Sequence, residues 1–583
     1  MLKISRSWMR VGLVLASVLL GSCASLGRPP VEKTVTLSLI GFNDFHGHLL
    51  PPGMSVSVKD SESGKTLKLQ AGGMAYLSTL IGALKAENPG RTLLVAAGDL
   101  VGASPQVSGM FHDEPTVDAL NQLELELSTV GNHEFDKGRD EILRLQNGGC
   151  FPPSVDGMRG LIGQDTCMNN GRFEGAKYRY LSANVVDQRT GQTLFPPYVV
   201  RNIDGVNIGF IGVTLKETPA VVTPKGIEGL RFEDEVSTIN RLIPELKKAG
   251  ASFVVVLLHQ GAATRAESIN DLTCPGFDGA ALRIIDALDS AVELVMTGHT
   301  HQEYICRRAD GKLVTQAGHY GRMVTRVNLD VDRASGKVLS KSAKTYVAVN
   351  DEHRKDSKMA ALVQRYAQLT EQRAGVVVAQ MAAPLDRQKN SAGESSLGNV
   401  IADAYLFGTT GEGYGNKAAQ MAFVNHGGIR ADLNQGLNVT YGQLYQVHPF
   451  SNTLITLELS GAQILRLLEQ QWEQPQPKGG RMLAISAGLS YLWNADKPEG
   501  EAPGRGGRIV AESLRLEGKP LNPKQIYRVA VNSYLASGGD GFKVFAQGRQ
   551  IQESELDLEV LTAYFREKKT VGAPSLNRIT RIP

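Results

Sequence analysis

The sequence predicts an α/β protein in two parts. A layered N-terminal domain of alternating strands and helices is joined by one helix to a second, α+β domain. Three observations predict this. At 583 residues the chain exceeds one ordinary core and calls for at least two. From residue 35 to 350, apolar runs of strand length alternate with helix-period segments, the pattern of a layered α/β unit. Residues 357–374 then place Met359, Leu362, Val363, Tyr366 and Leu369 on one helical face, beyond which the pattern restarts.

The N-terminus reads as an export signal. Lys3, Arg6 and Arg10 precede an apolar run over 11–20, too short to cross a bilayer comfortably. The run ends Leu20-Gly21-Ser22-Cys23, which resembles the lipobox of bacterial lipoproteins. That resemblance implies a signal peptide over 1–23, acylation of Cys23 as the mature N-terminus, and a tether over 24–34. Ala24 resembles the outer-membrane sorting pattern, so the expected place is the cell envelope, lipid-anchored to the outer membrane and facing the periplasm. Export leaves Cys150, Cys167, Cys274 and Cys306, an even number in an oxidising compartment. Three pairings are open. Cys150–Cys167 with Cys274–Cys306 is favoured, because each bond closes one local loop. The stretch from 150 to 167 is rich in Gly, Pro, Asn and Asp and reads as an excursion needing a staple. No CxxC pair occurs, which disfavours a cysteine metal site. The net charge of +3 and the lack of a basic tract with interleaved aromatics argue against a nucleic-acid partner. The chain is expected to be a monomer.

In order, residues 35–42 read as a strand delivering Asp44 and His46. Residues 51–70 are polar, a loop or hairpin. A helix over 73–87 is stopped by Asn88-Pro89-Gly90. A buried strand over 92–97 leads to Asp99, and a helix follows over 115–123. The next strand is expected to run to Asn132, with a helix over 137–146. After the cysteine loop come a strand over 180–186 and a pair over 198–213, turning at Asn202-Ile203-Asp204-Gly205. A helix over 233–249 precedes a strand over 252–258 that ends at His259. A helix over 280–288 precedes a strand over 292–296 that leads to His299 and His301. Antiparallel strands fill 313–349, turning at Ala334-Ser335-Gly336. The linking helix takes 351–375 and the second domain 376–583. That domain shows helices over 398–407 and 461–473, strands over 421–424 and 454–459, and a Gly-rich excursion over 498–507.

Five stretches stand at the carboxyl ends of strands, where open α/β sheets bind ligands. They are Asn43-Asp44-Phe45-His46-Gly47, Gly98-Asp99-Leu100-Val101-Gly102, Gly131-Asn132-His133-Glu134-Phe135-Asp136, Leu257-Leu258-His259-Gln260-Gly261 and Gly298-His299-Thr300-His301. Divalent cations of hard or borderline character take carboxylate oxygen and imidazole nitrogen. Asp44, His46, Asp99, Asn132, His259, His299 and His301 supply seven such ligands, too many for one tetrahedral ion. They suit two ions sharing a bridging carboxylate, with Asp99 the natural bridge. His133 can act as acid or electrophile, and Asp136 can fix it through a ring N–H.

In this order the five stretches resemble the calcineurin-like metallophosphoesterases. Asn425-His426-Gly427-Gly428-Ile429-Arg430, His448-Pro449-Phe450 and the run Tyr534-Leu535-Ala536-Ser537-Gly538-Gly539-Asp540-Gly541-Phe542 resemble the 5'-nucleotidase C-terminal domain. Together the motifs cover nearly the whole mature chain and resemble the bacterial 5'-nucleotidase family. The resemblance implies a β-sandwich flanked by helices in the first domain. It implies two divalent ions, Zn, Mn or Co, one held by Asp44, His46, Asp99 and His301 and the other by Asp99, Asn132, His259 and His299. Some nucleotidases carry an amide at the position of His301. It implies a catalytic dyad of His133 and Asp136, and a base sandwiched by Phe450 and Tyr534. Asp540 is expected to meet ribose hydroxyls, and Asn425, Gly428 and Arg430 to line the substrate. One departure concerns the family's Arg before the second domain's first helix. Here the approach is Ser391-Ala392-Gly393-Glu394-Ser395-Ser396-Leu397-Gly398, and Arg387 lies further upstream.

The implied activity is metal-dependent hydrolysis of nucleotides, chiefly nucleoside 5'-monophosphates. Nucleotide sugars, dinucleotides and 2',3'-cyclic nucleotides are alternatives. A sulfur-compound hydrolase is disfavoured by the two aromatics. A non-catalytic nucleoside-binding lipoprotein is disfavoured by the complete ligand set. Because the metals and the base clamp lie in different domains, closure by domain rotation is expected.

Overall fold

The computed structural model describes residues 33–59, 65–153, 160–222, 224–409, 418–433, 436–450, 452–500 and 507–583. The segment carrying Cys23 and most of the Gly-rich excursion lie outside the described residues.

The first domain is a sandwich of two six-stranded sheets. In one sheet Thr34–Phe42 lies between Met323–Asp332, antiparallel, and Thr92–Ala96, parallel. Leu127–Thr129 and Arg179–Leu181 extend that sheet in parallel. In the other sheet Phe253–His259 is central, parallel to both Val206–Thr214 and Val292–Thr297. The alternation of each strand sets the layers. Leu37, Leu39, Val95 and Leu127 meet Phe210, Val255, Leu257 and Leu294 in the seam between the sheets. Ile40, Phe42 and Leu94 face outward onto helices including Met74–Glu87 and Glu114–Gln122. Val254, Val256 and Leu258 face outward onto Glu235–Lys248 and Ala280–Asp286. Strands buried on both faces read as unbroken apolar runs, which is why residues 253–258 were conspicuous in the sequence.

Some boundaries differ from the sequence reading. The strand expected to reach Asn132 ends at Thr129, leaving Val130 to Asn132 as a loop free to aim side chains. The strand expected over 180–186 is two short strands in different sheets, Arg179–Leu181 and Val185–Asp187. Met54–Lys59 and Thr66–Ala71 pair antiparallel within the stretch read as a loop or hairpin. Cys150–Cys167 and Cys274–Cys306 are both joined, the first within the irregular excursion.

The linking helix spans Ser357–Ala374, capped by Asp356, whose carboxylate accepts from the N–H groups of Lys358 and Met359. Met359, Val363 and Tyr366 are buried in an apolar cluster that runs on through Tyr405, Leu444 and Val447 of the second domain. That domain is built on a five-stranded sheet in which Ile526–Asn532 lies between Met421–Asn425 and Thr453–Ser460. Ser396–Phe407 and Asp557–Lys568 pack together beside it. No helix among the described residues is long and apolar enough to cross a membrane.

Candidate active site

Three of the five N-terminal stretches, at 43–47, 98–102 and 298–301, leave their strands through left-handed backbone. Asp44, Asp99, His299 and His301 have φ of 50°, 52°, 71° and 56°, and His46 has 47°. Non-glycine residues rarely hold this left-handed conformation, and such strain gathers at sites that side chains must share. The turns approach one another so closely that Gly98 and Gly131 have no room for a side chain. A Cβ on Gly98 would stand 2.7 Å from His259 Nδ1 and 2.8 Å from Gly131 N.

The turns bring the seven predicted ligands together. Asp44, His46 and His301 offer atoms within 4.8 Å of one another, as do Asp99, His259 and His299. His46 Nε2 faces His301 Nε2 at 3.3 Å and lies 3.6 Å from Asp99 Oδ2. His259 Nε2 lies 3.1 Å from Asp99 Oδ2 and 3.1 Å from Asn132 Oδ1, and His299 Nδ1 is 2.9 Å from Asn132 Oδ1. Asp99 thus touches both groups. The far ring nitrogens are anchored: His46 Nδ1 donates to Gly102 O at 2.9 Å and His259 Nδ1 to Ala97 O at 2.7 Å. Those bonds aim the Nε2 lone pairs inward.

The electrostatics of the cluster follow from burial and crowding. Burial drives His46 and His299 each down to about 4, so both imidazoles are neutral and their lone pairs free. Burial would raise Asp99, but the His259 and His133 charges outweigh it and hold its carboxyl well below the usual range. Burial would lower His259, but Asp99 pushes it up to about 10. Two buried carboxylates, the Asn132 amide oxygen and four imidazoles converge, the oxygen and nitrogen donor types that divalent cations take. The donors present fit such ions.

Beside the cluster, His133 Nδ1 donates to Asp136 Oδ2 at 2.8 Å, and His133 N donates to Asp99 Oδ1 at 2.9 Å. Burial would lower the His133 ring, but Asp136 and Asp99 reverse this and push it up to about 9.

Residues of the second domain reach this point. The Phe450 ring lies 6.2 Å from that of His133, and the Arg430 guanidinium sits 5.4 Å over Phe450. Tyr534, in the short helix Ser533–Ala536, donates its hydroxyl to Asp540 Oδ1 at 3.1 Å. Asn425 Nδ2 donates to Asp540 Oδ2 at 3.0 Å. Gly428 turns beside Asn425, where a Cβ would lie 3.1 Å from Asn425 Oδ1. Arg387 is engaged elsewhere: it binds Asp432 Oδ1 at 3.0 Å and the Arg430 carbonyl at 3.0 Å, bracing the loop that carries Arg430.

Several functional residues escaped the sequence reading. Glu134 Oε2 accepts from Asp99 N at 3.0 Å and Gly131 N at 2.6 Å, and its Oε1 accepts from Leu100 N at 2.8 Å. It ties together two of the loops that carry the candidate metal ligands. Burial and the Asp99 charge push its carboxyl up to about 8, against the pull of the N–H donors. Asn43 donates to Asp44 Oδ2 and to Gly318 O at 2.7 Å, and accepts from Ala317 N at 2.8 Å. His319 stacks on His301 at 4.6 Å and receives Arg322 Nη2 at 3.0 Å on its Nδ1. Arg481 pairs with Asp540. Glu134 and Asn43 lie inside the quoted motifs, but their partners are backbone groups of other loops, which no spacing reveals.

Comparison with known proteins matches these two halves separately. Residues 37–303 match the calcineurin-like phosphoesterase family and residues 373–547 the 5'-nucleotidase C-terminal domain. The cell wall protein Lmo0130 of Listeria monocytogenes is 32% identical over 92% of this chain and 68% of its own length. Endonuclease YhcR of Bacillus subtilis is 29% identical over 92% of this chain, which spans only 40% of that relative. Among solved structures, a 5'-nucleotidase precursor from Thermus thermophilus superposes with a TM-score of 0.64 at 27% identity, covering 94% of this chain and 99% of that one.

Proposed function

The chain belongs to the family that couples a calcineurin-like phosphoesterase domain to a 5'-nucleotidase C-terminal domain, and on that premise we propose an exported, lipid-anchored hydrolase of nucleotide phosphate esters. Its chief reaction converts nucleoside 5'-monophosphates to nucleoside and phosphate. The observation that carries the reading is the meeting of Phe450 with His133 beside two convergent donor groups. A base stacked on Phe450 then has its 5'-phosphate within reach of the cluster.

Asp44, His46, Asp99 and His301 would hold one divalent ion, and Asp99, Asn132, His259 and His299 the other. When bound, such ions would lower the pKa of water to about 7 and neutralise charge on phosphoryl oxygens. The chain's own residues do the rest. Asp136 takes the Nδ1 proton of His133 in a hydrogen bond, so Nε2 is the nitrogen that faces substrate. The raised affinity of that ring for a proton keeps Nε2–H available. As the water oxygen bonds to phosphorus and the ester P–O bond breaks, Nε2 gives its proton to the departing 5'-oxygen. Phe450 and Tyr534 hold the base by stacking, which tolerates every nucleobase. Arg430, over Phe450, would supply positive charge beside the base.

Phosphate release from AMP, measured on the purified mature protein with Mn, Co or Zn added and then with EDTA, tests the reading. Release with metal and none with EDTA is expected. No release under any metal would leave a nucleoside-binding lipoprotein as the answer.

A further inference from the structure

Two glycines, one in each domain, let the halves of the molecule approach closely. In the first domain the short helix Gln106–Gly109 follows the loop that carries Asp99. In the second, the helix Tyr441–Val447 runs into His448-Pro449-Phe450. Where these helices meet, a Cβ on Gly109 would overlap the Tyr445 hydroxyl and stand 3.1 Å from Tyr445 Cζ. A Cβ on Gly442 would stand 2.6 Å from that of Ala374 and 3.0 Å from Gln106 Nε2. Tyr445 is buried, and its hydroxyl reaches Ser104 O at 3.5 Å. Beside this contact the halves part. A cavity of about 1010 Å³ opens there, lined by Gly109, Met110 and Lys137 on one side and by Tyr445, Thr453 and Ser537 on the other. Tyr445 thus stands as a strut at the rim of a gap.

Each end of the strut leads to the site. On the side of the second domain, Val447 O accepts from Arg430 N at 3.0 Å, and the Arg430 guanidinium lies over Phe450, three residues beyond Val447. On the other side, the segment under Tyr445 is braced against the loop of the catalytic dyad. Ser108 Oγ donates to Asp113 Oδ1 at 2.9 Å, and Asp113 Oδ2 takes Lys137 Nζ at 2.9 Å, one residue after Asp136. Gly102 lies against His133, where a Cβ would stand 2.8 Å from His133 Cβ. Gly47, next to His46, would place a Cβ 2.6 Å from Ser104 Oγ. Displacing the Tyr445 ring therefore moves Phe450 and Arg430 relative to His133 and His46.

A substrate gripped at its base reacts only where the grip and the reacting centre stand at the matching separation. We propose that Tyr445, seated on Gly109, is a positioning residue that sets this separation, so that the base bound at Phe450 places its phosphate at the donor cluster. It touches neither substrate nor metal ligand and acts through the helix that ends at Val447. This rests on the nucleotide-hydrolase reading above and deepens it, because it names the contact that makes hydrolysis depend on the nucleobase.

The test compares AMP with glycerol 2-phosphate, an ester with no ring for the clamp to stack, on the metal-loaded protein. The Gly109 backbone is not left-handed, so contact and not backbone strain is what alanine tests there. Gly109→Ala should lower kcat for AMP by about tenfold or more, the order a small misplacement brings, and leave KM within about threefold. Turnover of glycerol 2-phosphate should stay within about twofold, because it needs only the cluster. Tyr445→Phe removes the atom that the new methyl meets most closely. The double variant Gly109→Ala/Tyr445→Phe should therefore regain most of the AMP rate that Gly109→Ala loses. Tyr445→Ala, which removes the strut, should also impair AMP selectively. Spin labels at Asp140→Cys and Lys543→Cys, one in each half, read the separation without turnover. Their distance distribution should shift in Gly109→Ala and return in the double variant. A Gly109→Ala protein that handles both esters alike, impaired or not, would overturn the proposal, as would a double variant no better than Gly109→Ala. Should neither ester be hydrolysed, the hydrolase reading fails, and the distance distributions decide the joint by the same comparison.

Discussion

Replacing Glu134 by Gln tests whether the two central metal-bearing loops are held by one carboxylate. Glu134 is buried, with 2% of its surface exposed, and accepts three backbone N–H bonds at 2.6, 2.8 and 3.0 Å. Glutamine has the same shape but only one acceptor oxygen. In its best orientation that oxygen keeps Gly131 N and Asp99 N, and the amide NH2 then faces Leu100 N, donor against donor. One hydrogen bond to a charged group is lost, about 1.5–3 kcal/mol, and a buried N–H is left unpaired. The two surviving bonds weaken because the acceptor is neutral. The sum is about 2–4 kcal/mol, on the order of 5 °C in the melting midpoint of the first domain. The site should suffer too. Asp99 sits at φ 52°, a conformation kept only while its surroundings insist on it. A relaxed Asp99 turn moves the carboxylate shared by both donor groups, so bound metal and turnover should fall together. Thermal unfolding, metal analysis of the dialysed protein and AMP turnover read these effects. A Gln variant that melts, binds metal and turns over like the wild type would refute the reasoning. It would mean that the carboxyl is carried protonated at neutral pH, the direction in which burial and Asp99 push it.

Asp99→Asn should lower metal content as well as rate, because it removes the charge shared by both donor groups. His133→Asn should lower the rate while metal stays bound; an emptied site would show His133 to be a ligand and not the acid. Exchanging Cys150 and Cys167 for Ser opens a loop of 17 residues, a loss of about 3 kcal/mol in chain-entropy terms. Faster proteolysis between residues 150 and 167 should accompany the lower midpoint, and unchanged digestion would count against the staple. His426 predicts an acid limb. Burial first, then Lys389, lower its ring from 6.5 to about 4. A depressed folded pKa means that the unfolded chain protonates first. The stability is therefore whole above pH 6.5 and is lost as the pH falls towards 4, by about 3 kcal/mol at most. His426→Gln should flatten that part of the stability curve, and an unaltered slope would assign it to other groups.

What was legible in the sequence was what local pattern encodes. The strand Phe253–His259 is buried on both faces, so its seven residues announce it without any partner. The linking helix has an Asp cap and a clean apolar face, and its observed span, Ser357–Ala374, is the stretch on which that face was read, inside the 351–375 assigned to the linker. The Asp, Asn and His side chains that converge from strand ends stood out because divalent-cation chemistry favours such donors. Ile526–Asn532 was overlooked although its apolar run carries a signal; Arg528 interrupts it, and only the ion pair with Glu458 on the neighbouring strand, at 3.0 Å, explains an arginine there. The split of residues 179–187 into strands of two sheets depends on which sheet edge lies nearest, which is tertiary information. Glu134 is the sharpest case. It reads as a spacer between His133 and Asp136, and its work is done on backbone N–H groups up to 35 residues away.

The linking helix also bears on how the two halves cooperate. Were it a free rod between domains, its apolar face would be divided between two separate cores. Instead Ser357–Ala374 packs mainly against Met74–Glu87, Gln106–Gly109 and Glu114–Gln122 of the first domain, and Tyr441–Val447 of the second meets it as well. The helix is therefore mechanically part of the first domain. Any rotation that brings the base clamp to the metals must pivot beyond Ala374 and slide Tyr441–Val447 across that helical surface. Polar contacts between Tyr441–Val447 and the first domain include Gln106 donating to Gly442 O and the Tyr445 hydroxyl reaching Ser104 O at 3.5 Å. The apolar contacts are many and non-directional, so sliding costs less than breaking a hydrogen-bonded joint would. Phe450 is thus held on a core continuous with the first domain, its ring 6.2 Å from that of His133.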